Sequence, residues 1–527
     1  MEAKKNGRRG TKAESEKDAG ERLFGEGLRF YRGIGQPADR RKAARCFRKA
    51  AELGHAEAQA MHGVLLAYGW GAGRKSEAAE WMRRAAEGGS AYGMHVLGMA
   101  YREGDLLPKD AVTGLQWLMK AAAAGHVPSL REAARMLLAG DGVAQDAERA
   151  VQLLQQAAKK GDEEAWYLLG SLHAEGKAVP QDFAAAIRCL KKAGAKGHAG
   201  AMFTLGMYHA RGMAGLKRNM RSAFACMRRA ADLGDETAQY LAGRFYEDGI
   251  GTTQDFELAR DYYIKSAENG HAPAIARLGV MYRDGLGMVP NHVKAREIFL
   301  HGALKGDADS QYQLALMLYT GQGGEQDVAG AVRWLEMAVR QEQPEACLLM
   351  AKLCLNGEGV RKNLPRAAQL WRTAAEKGDA LGQLLLAIAL QHGLGVQEDG
   401  AEALSWYRSA AQQGNAEAQF CMGRFCRGGD LLPEDAEAAA HWFALAAQQG
   451  HIKATAALGE MYAAGQGVEK DEKRGMKILE IAARNGDAGA MRCLAGMLER
   501  GGGGRRSPKK AREWLEKAEA AEKGKKE

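Results

Sequence analysis

What the sequence lacks excludes several classes of protein. The 527-residue chain contains eight cysteines, but it has no Cys-x-x-Cys pair, and the cysteines do not recur at a regular interval. Extracellular repeats that are stapled by disulfides would carry a pair in every unit, and structural zinc sites and redox motifs need closely spaced thiols. We therefore expect free thiols in a reducing compartment, with no metal ion and no other cofactor.

Signals for membranes and for phosphate binding are also missing. No stretch near Met1 has the length of a signal-peptide core, and no apolar run approaches a membrane span. The glycine-rich stretches, such as GIGTTQD, do not contain the pattern G-x-x-x-x-G-K-[ST]. We expect a cytoplasmic protein without a membrane span, whose glycine-rich stretches are turns between helices.

The positive charge is concentrated at the two ends of the chain. The formal net charge is +9, and residues 1–20 carry six Lys/Arg against four acids, while residues 504–527 carry nine against five. Basic ends can contact nucleic acid or anionic surfaces. The favoured interpretation is that these ends are solvated and keep the protein in solution.

A glycine recurs through almost the whole chain with a period close to 36 residues. It occupies Gly54, Gly89, Gly125, Gly161, Gly197, Gly234, Gly270, Gly306, Gly378, Gly414, Gly450 and Gly486, and Glu342 stands in its place in one copy. A fixed period of this length is the mark of a repeat array. We count fourteen copies.

Each copy predicts two helices, as in residues 234–270, GDETAQYLAGRFYEDGIGTTQDFELARDYYIKSAENG. Apolar residues follow a helical period on both sides of a G-x-G loop, and Asp or another N-cap residue precedes each helix. The second helix carries an aromatic residue that we expect to fill the groove between units. In six copies it is a tryptophan, namely Trp81, Trp117, Trp334, Trp406, Trp442 and Trp514.

One copy cannot bury its apolar face alone, so the copies are expected to stack. The fold prediction is an all-α solenoid of about fourteen 36-residue helix-turn-helix repeats over residues 21–521. Residues 1–20 lack apolar periodicity and are expected to be a disordered polar tail, and residues 522–527 a charged C-terminal tail.

The unit A-x-x-x-L-G-x-x-Y-x-x-G-x-G-V-x-x-D-x-x-x-A-x-x-W-Y-x-x-A-A-x-x-G closely resembles the Sel-1-like repeat, a relative of the tetratricopeptide repeat. The resemblance implies an α/α superhelix in which the first helix of each repeat lines a concave face. It also implies an adaptor or scaffold that assembles protein complexes. The family includes exported and disulfide-bridged members, and this chain departs from them in having no signal sequence and no regular cysteine pairs.

We number the positions of each repeat from the recurring glycine and call them slots. Alignment with the related tetratricopeptide repeat places slots three, six, ten, thirteen and fourteen on the concave face. Aromatic and cationic residues fill the sixth, tenth and thirteenth slots, and such residues are common in binding hot spots. The predicted partner-binding residues are Arg131, Arg135, Tyr167, Phe203, Tyr240, Arg244, Arg283, Tyr312, Lys352, Phe420, Arg424 and Arg427. The alternative is that the aromatic residues pack against neighbouring first helices.

The sequence thus predicts a non-catalytic scaffold that binds proteins or extended peptides, with no catalytic residues, no small-molecule substrate and no nucleic acid. Two alternatives stay open. Some cysteine-rich relatives are hydrolases of the β-lactamase type, and Ser507 and Lys510 form one S-x-x-K, but its companion motifs are missing. The other alternative is an adaptor that binds RNA through its basic ends.

Overall fold

A computed structural model describes residues 2–35, 37–70, 74–428, 431–504 and 506–523, with side-chain positions from residue 16 to residue 522. Within these ranges the chain forms 28 α-helices and one 3-10 helix, and no strand. The helices are α1 (Glu2–Arg32), α2 (Arg40–Glu52), α3 (Ala56–Ala67), α4 (Ala78–Glu87), α5 (Ala91–Glu103), α6 (Ala111–Ala123), α7 (Val127–Ala139), α8 (Ala147–Lys159), α9 (Glu163–Glu175), α10 (Phe183–Ala195), α11 (Ala199–Arg211), α12 (Met220–Asp232), α13 (Glu236–Asp248), α14 (Phe256–Glu268), α15 (Ala272–Asp284), α16 (His292–Leu304), α17 (Ala308–Thr320), α18 (Val328–Arg340), α19 (Pro344–Asn356), α20 (Leu364–Glu376), α21 (Ala380–His392), α22 (Gly400–Gln412), α23 (Ala416–Gly428), α24 (Ala436–Gln448), α25 (Ile452–Ala464), α26 (Glu472–Arg484), α27 (Ala488–Arg500) and α28 (Pro508–Lys523), and the 3-10 helix covers Lys75–Glu77.

The helices form pairs, which confirms the predicted all-α solenoid of repeats. Each odd-numbered helix is the first helix of a repeat, and the even-numbered helix that follows is the second. The chain divides into two compact units, Met1–Ser266 and Ala267–Glu527. Each unit is a run of these helical pairs with its own buried residues.

Glycine in the left-handed conformation follows the second helix of most repeats, as the sequence predicts. Gly234 has φ +96°, and Glu342, which replaces glycine in one copy, has φ +57°. An L-residue rarely adopts this conformation, which glycine tolerates without steric cost. We call the turn between two repeats a corner. The corner at Glu342 therefore has the same left-handed backbone conformation as the corners at glycine.

The residue after the corner caps the next helix. Asp235 accepts a hydrogen bond from the Ala238 backbone N–H at 2.7 Å. Histidine serves the same purpose at His198, whose Nδ1 accepts from the Ala201 N–H at 3.0 Å. His126 makes no such bond to the backbone, and its Nδ1 instead lies 2.8 Å from the Ser129 hydroxyl.

The core between paired helices is filled by the residue one position after the tryptophan of the second helix. Phe443, one position after Trp442, is 1% exposed, whereas Trp442 is half-buried and packs at the edge of the core. Phe443 fills a notch at Gly423 on the first helix, where an added methyl group would lie 2.6 Å from two ring carbons. Trp442 thus borders the core and its neighbour fills it, whereas Leu515, which follows Trp514, is exposed.

The first and last helices extend the array at its ends. Helix α1 begins at Glu2, so residues 2–20, for which the sequence predicts disorder, are helical in the structure. No proline interrupts residues 2–32, and the helix continues without a break into the first repeat. At the other end, α28 includes the first two residues of the predicted tail 522–527, and residues 524–527 lie outside the described residues.

All eight cysteines are free thiols, buried or half-buried. Burial raises the pKa of the Cys347 and Cys421 thiols to about 11. Across the described ranges, no helix combines the length and the apolar character needed to cross a membrane.

Candidate protein-binding face

The twelve predicted binding residues all lie on first helices. In the first unit they are Arg131 and Arg135 on α7, Tyr167 on α9, Phe203 on α11, and Tyr240 and Arg244 on α13. In the second unit they are Arg283 on α15, Tyr312 on α17, Lys352 on α19, and Phe420, Arg424 and Arg427 on α23. We call the surface that these slots form in each unit the first-helix face.

Charged side chains on this face connect each repeat to the next. The Arg131 guanidinium donates to Asp162 at 2.8 Å, and Arg135 donates to Glu164 at 2.7 Å. Both acceptors belong to the following repeat, and Asp162 also caps α9 through the Ala165 N–H. One carboxylate therefore fixes both a helix start and an arginine of the preceding repeat.

The connection continues one repeat further. Glu164 also lies 2.9 Å from Nε2 of His198, the residue that caps α11. The Tyr167 ring stacks on His198 with centroids 4.4 Å apart and an interplanar angle of 20°. The aromatic residue in the sixth slot thus packs on the N-cap of the next repeat, which corresponds to the packing alternative for its role.

The second unit repeats this arrangement. The Phe420 ring stacks on His451 at 4.7 Å, and His451 lies 3.0 Å from Glu417. Arg427 donates to Glu460 of the next repeat at 3.1 Å. Contacts of this kind hold side chains of neighbouring first helices in fixed positions.

Arg283 follows the same pattern, whereas Tyr312 packs against the core. Arg283 donates to Gln313 of the next repeat at 2.5 Å and to Asp284 beside it at 2.6 Å. Tyr312 is half-buried against the core, and burial raises the pKa of its hydroxyl. Phe203 is half-buried as well.

Three cations of the set keep their charged groups in solvent. Arg244 bonds Asp248 on its own helix at 3.1 Å, and Lys352 lies 5.7 Å above the Tyr319 ring. Arg424 is exposed and has no partner among the described residues. Arg244 and Arg424 are available to a ligand without breaking a contact between repeats, and Lys352 is exposed but contacts Tyr319 of the preceding repeat.

Sequence reasoning missed a hollow on the same face between α3 and α5. It encloses about 400 Å³ and is lined by apolar and aromatic side chains that include Val64, Tyr68, Tyr92, Met99 and Leu106. The carboxylates of Glu103 and Asp105 belong to the same lining, as does Lys75. Tyr68 and Tyr92 stand at slots fourteen and three, but the hollow depends on the loop between α5 and α6, which the repeat pattern does not specify.

A pair of half-buried histidines, one of which also lines this hollow, lies on the same face. His95 and His126 have ring centroids 4.6 Å apart, and the Ser129 hydroxyl lies 3.0 Å from Nδ1 of His95. Burial, followed by the nearby His126, lowers the pKa of His95 to about 4. Among the residues that the structure describes, no group of three His, Cys, Asp or Glu side chains could hold a metal ion.

The comparison with family models identifies the repeat. The Sel1 repeat model matches fourteen consecutive segments, namely residues 24–55, 56–90, 91–126, 127–162, 164–198, 199–235, 237–271, 272–307, 308–342, 344–379, 380–415, 416–451, 452–487 and 488–522. The chain belongs to the Sel1 repeat family, as the sequence pattern suggests.

Solved structures of other repeat proteins are similar to this chain. One is c5321, a protective antigen of uropathogenic Escherichia coli strains with an SLR fold, at 30% identity and a TM-score of 0.53 over 78% of this chain and 90% of that one. Another is a Sel1 repeat protein from Oxalobacter formigenes, at 26% identity and a TM-score of 0.37 over 69% of this chain and 93% of that one. No curated protein matched the sequence.

Proposed function

We propose that the protein is a non-catalytic scaffold that binds partner proteins or extended peptides on its first-helix face. Membership of the Sel1 repeat family supports a role in protein interaction in general terms. The observation that carries the proposal is the solvent-facing cations Arg244, Lys352 and Arg424 at one repeated slot of this face. Cationic and aromatic side chains in fixed positions are typical of peptide-recognition surfaces.

The contacts between repeats reduce the entropic cost of binding. Arg131, Arg135 and Arg427 are already held by carboxylates of the next repeat, so the surface around them is ordered before a partner arrives. Ordering a side chain on binding costs about 0.5–1.5 kcal/mol, and a preformed surface avoids that cost. We infer that the exposed cations supply the contacts, while the paired arginines keep the surface rigid.

The hollow between α3 and α5 offers a second kind of contact on this face. Its aromatic and aliphatic lining suits an apolar side chain, and Glu103 and Asp105 suit a neighbouring cation. Its volume of about 400 Å³ is in the range of pockets that accept a side-chain cluster rather than a single methyl group. A partner that binds here would present an apolar residue beside a lysine or arginine.

The test is a crosslinked pull-down from native lysate with two charge-matched variants. The first carries Arg244→Glu, Lys352→Glu and Arg424→Glu on first helices. The control carries Arg221→Glu, Arg408→Glu and Lys477→Glu, which are exposed positions on second helices. A discrete protein that crosslinks to the wild type and the control, and is lost from the first-helix variant, supports the proposal.

Two outcomes would overturn this proposal. If both variants recover the same partner, binding lies on another surface. If both lose it equally, the effect comes from net charge and not from the first-helix face.

A further inference from the structure

A second charged feature lies outside the first-helix face, on a second helix. Helix α2 has the sequence RRKAARCFRKAAE, with six cations and one carboxylate in 13 residues. Its buried residues, which include Ala43 and Phe47, form one stripe, so the cations are held on the opposite side of the helix. The first repeat therefore presents a strongly basic ridge to solvent.

This ridge borders a groove of about 470 Å³. Four cations line it, namely Arg41, Arg45, Arg48 and Lys49, together with the indole of Trp70. Glu52 is the one carboxylate in the lining that the structure describes. The groove thus combines an excess of positive charge with an aromatic wall.

Most of the positive charge in the groove has no ion pair within the part of the chain that the structure describes. Arg48 bonds Glu52 at 2.9 Å, which neutralises the single carboxylate. Arg41, Arg45 and Lys49 have no ion pair with any residue in the described part of the chain. Three cations on one side of a helix repel one another, so an anionic ligand that lies between them would be stabilised.

The surroundings of Trp70 favour a carboxylate ligand over a nucleic acid. The Arg40 guanidinium lies 4.3 Å above the indole ring, and the Tyr68 ring stacks on the indole with centroids 5.3 Å apart. Single-stranded nucleic acids gain much of their affinity by stacking bases on aromatic side chains. Because the indole already engages two partners, it is poorly placed to accept a base.

We propose that the α2 groove binds an extended acidic segment of a partner protein. Arg41, Arg45 and Lys49 follow one another at four-residue intervals, which corresponds to about 6 Å along a helix axis. In an extended peptide, side chains on one side recur about every 6.6 Å. Acidic residues at alternate positions of such a segment therefore match the three cations in sequence, and guanidinium groups bind carboxylates in a two-pronged geometry.

The test measures the affinity of the full-length protein for a fluorescein-labelled peptide of four Glu-Ser repeats. The variant Arg41→Gln/Arg45→Gln/Lys49→Gln removes the three unpaired cations from exposed positions of α2. A matched control, Arg188→Gln/Lys191→Gln/Arg221→Gln, removes the same charge from exposed positions on α10 and α12. We expect the Kd to rise at least tenfold in the α2 variant and to change less than twofold in the control.

Two further ligands, a neutral peptide and a single-stranded DNA, test whether the groove prefers an acidic peptide. A peptide of Gln-Ser repeats is expected to bind at least tenfold more weakly than the Glu-Ser peptide to the wild type. The proposal is overturned by an unchanged Kd in the α2 variant, by an equal loss in the control, or by the absence of Glu-Ser binding. Tighter binding of a twelve-residue oligothymidylate with the same dependence on α2 would also overturn it, in favour of a nucleic acid.

If the triple variant loses helicity by circular dichroism, Arg45→Gln alone replaces it, with an expected rise in Kd of about threefold. The pull-down variants leave α2 unchanged, so the two proposals can fail independently.

Discussion

At the scale of single residues, the corner positions give the clearest prediction of how a substitution changes stability. Glu342 occupies a left-handed conformation at φ +57°, which costs an L-residue about 1–2 kcal/mol. Its carboxylate is paired with Lys377 on the surface, and exposed pairs contribute little to stability. The corner is therefore expected to prefer glycine even though the ion pair is lost.

We predict that Glu342→Gly stabilises the protein by about 0.5–1 kcal/mol, since relief of backbone strain exceeds the extra entropy of glycine in the unfolded chain. The reverse change, Gly378→Glu, is the matched control, because Gly378 has φ +90° and open space around it. It should destabilise by a similar amount. Urea midpoints measure both, and a loss of stability in Glu342→Gly would contradict the strain argument.

The notch at Gly423 predicts an overpacking effect. Gly423→Ala would place a methyl group 2.6 Å from the Phe443 ring, and overpacking costs about 1–3 kcal/mol. Gly496→Ala is the control in another first helix, where nothing lies within 4 Å of the new methyl group. The first change should lower the melting temperature and the second should raise it, because alanine favours helix. Equal shifts in melting temperature for the two variants would show that the Phe443 ring does not need the space left by Gly423.

The half-buried His95 predicts a pH dependence of stability. Its folded pKa of about 4 lies below its ordinary value of 6.5, so the unfolded chain binds more protons between these pH values. Stability is then complete above pH 6.5 and falls as pH decreases towards 4, by on the order of 1–3 kcal/mol. Thermal melts between pH 7.5 and 4 should show a smaller loss of stability for His95→Gln than for the wild type. An identical loss would show that His95 does not cause the pH dependence.

At the scale of elements, buried glutamines join three successive helices. Gln383 on α21 donates to the Ala375 carbonyl of α20 at 3.3 Å and accepts from Gln413 at the end of α22 at 2.8 Å. The same pair of bonds occurs at Gln311, with Ala303 and Gln341, and at Gln419, with Ala411 and Gln449. This recurring bridge holds α17, α21 and α23 each between two second helices.

A double-mutant cycle tests the bridge. Gln413→Leu leaves the buried side-chain oxygen of Gln383 without its donor, and Gln383→Leu removes the acceptor of the exposed Gln413 amide. The double variant removes both side chains. We expect a coupling free energy of about 0.5–1.5 kcal/mol from urea unfolding. A coupling near zero would mean that water replaces the bond at no cost.

The sequence was sufficient for the elements but not for their side-chain partners. The glycine period and the N-cap residues predict both helices of every repeat, because these signals act within one turn of the chain. The contact between Arg135 and Glu164 or between Tyr167 and His198 joins residues about thirty positions apart. Such contacts depend on how repeats stack, so the twelve binding residues were placed on first helices correctly, while their mutual pairing could not be predicted. Whether they bind a partner stays a prediction.

The tryptophans also show a packing detail that the sequence pattern did not predict. Their register marks the second helix, but the buried position is the next one, as at Leu335 beside Trp334. A shift of one position rotates a side chain by about 100° around a helix. Trp334→Ala should therefore cost less than Leu335→Ala, although tryptophan is the larger side chain.

At the scale of the whole molecule, each repeat is stabilised mainly by its neighbours, as in other solenoids. Leu335→Ala, at a fully buried site of α18, should destabilise by about 2–5 kcal/mol. We expect hydrogen exchange to accelerate in α17–α20 and to stay unchanged in α25–α28, within the same unit. Uniform acceleration over the unit would show that the repeats unfold as one block.

The central claim is that partners bind across first helices. The most direct measurement is hydrogen–deuterium exchange of the protein with and without the partner recovered by the pull-down. The account predicts protection in first helices, at the segments that carry Arg244, Lys352 or Arg424, with second helices unchanged. Protection confined to second helices, or to the two ends of the chain, would contradict it.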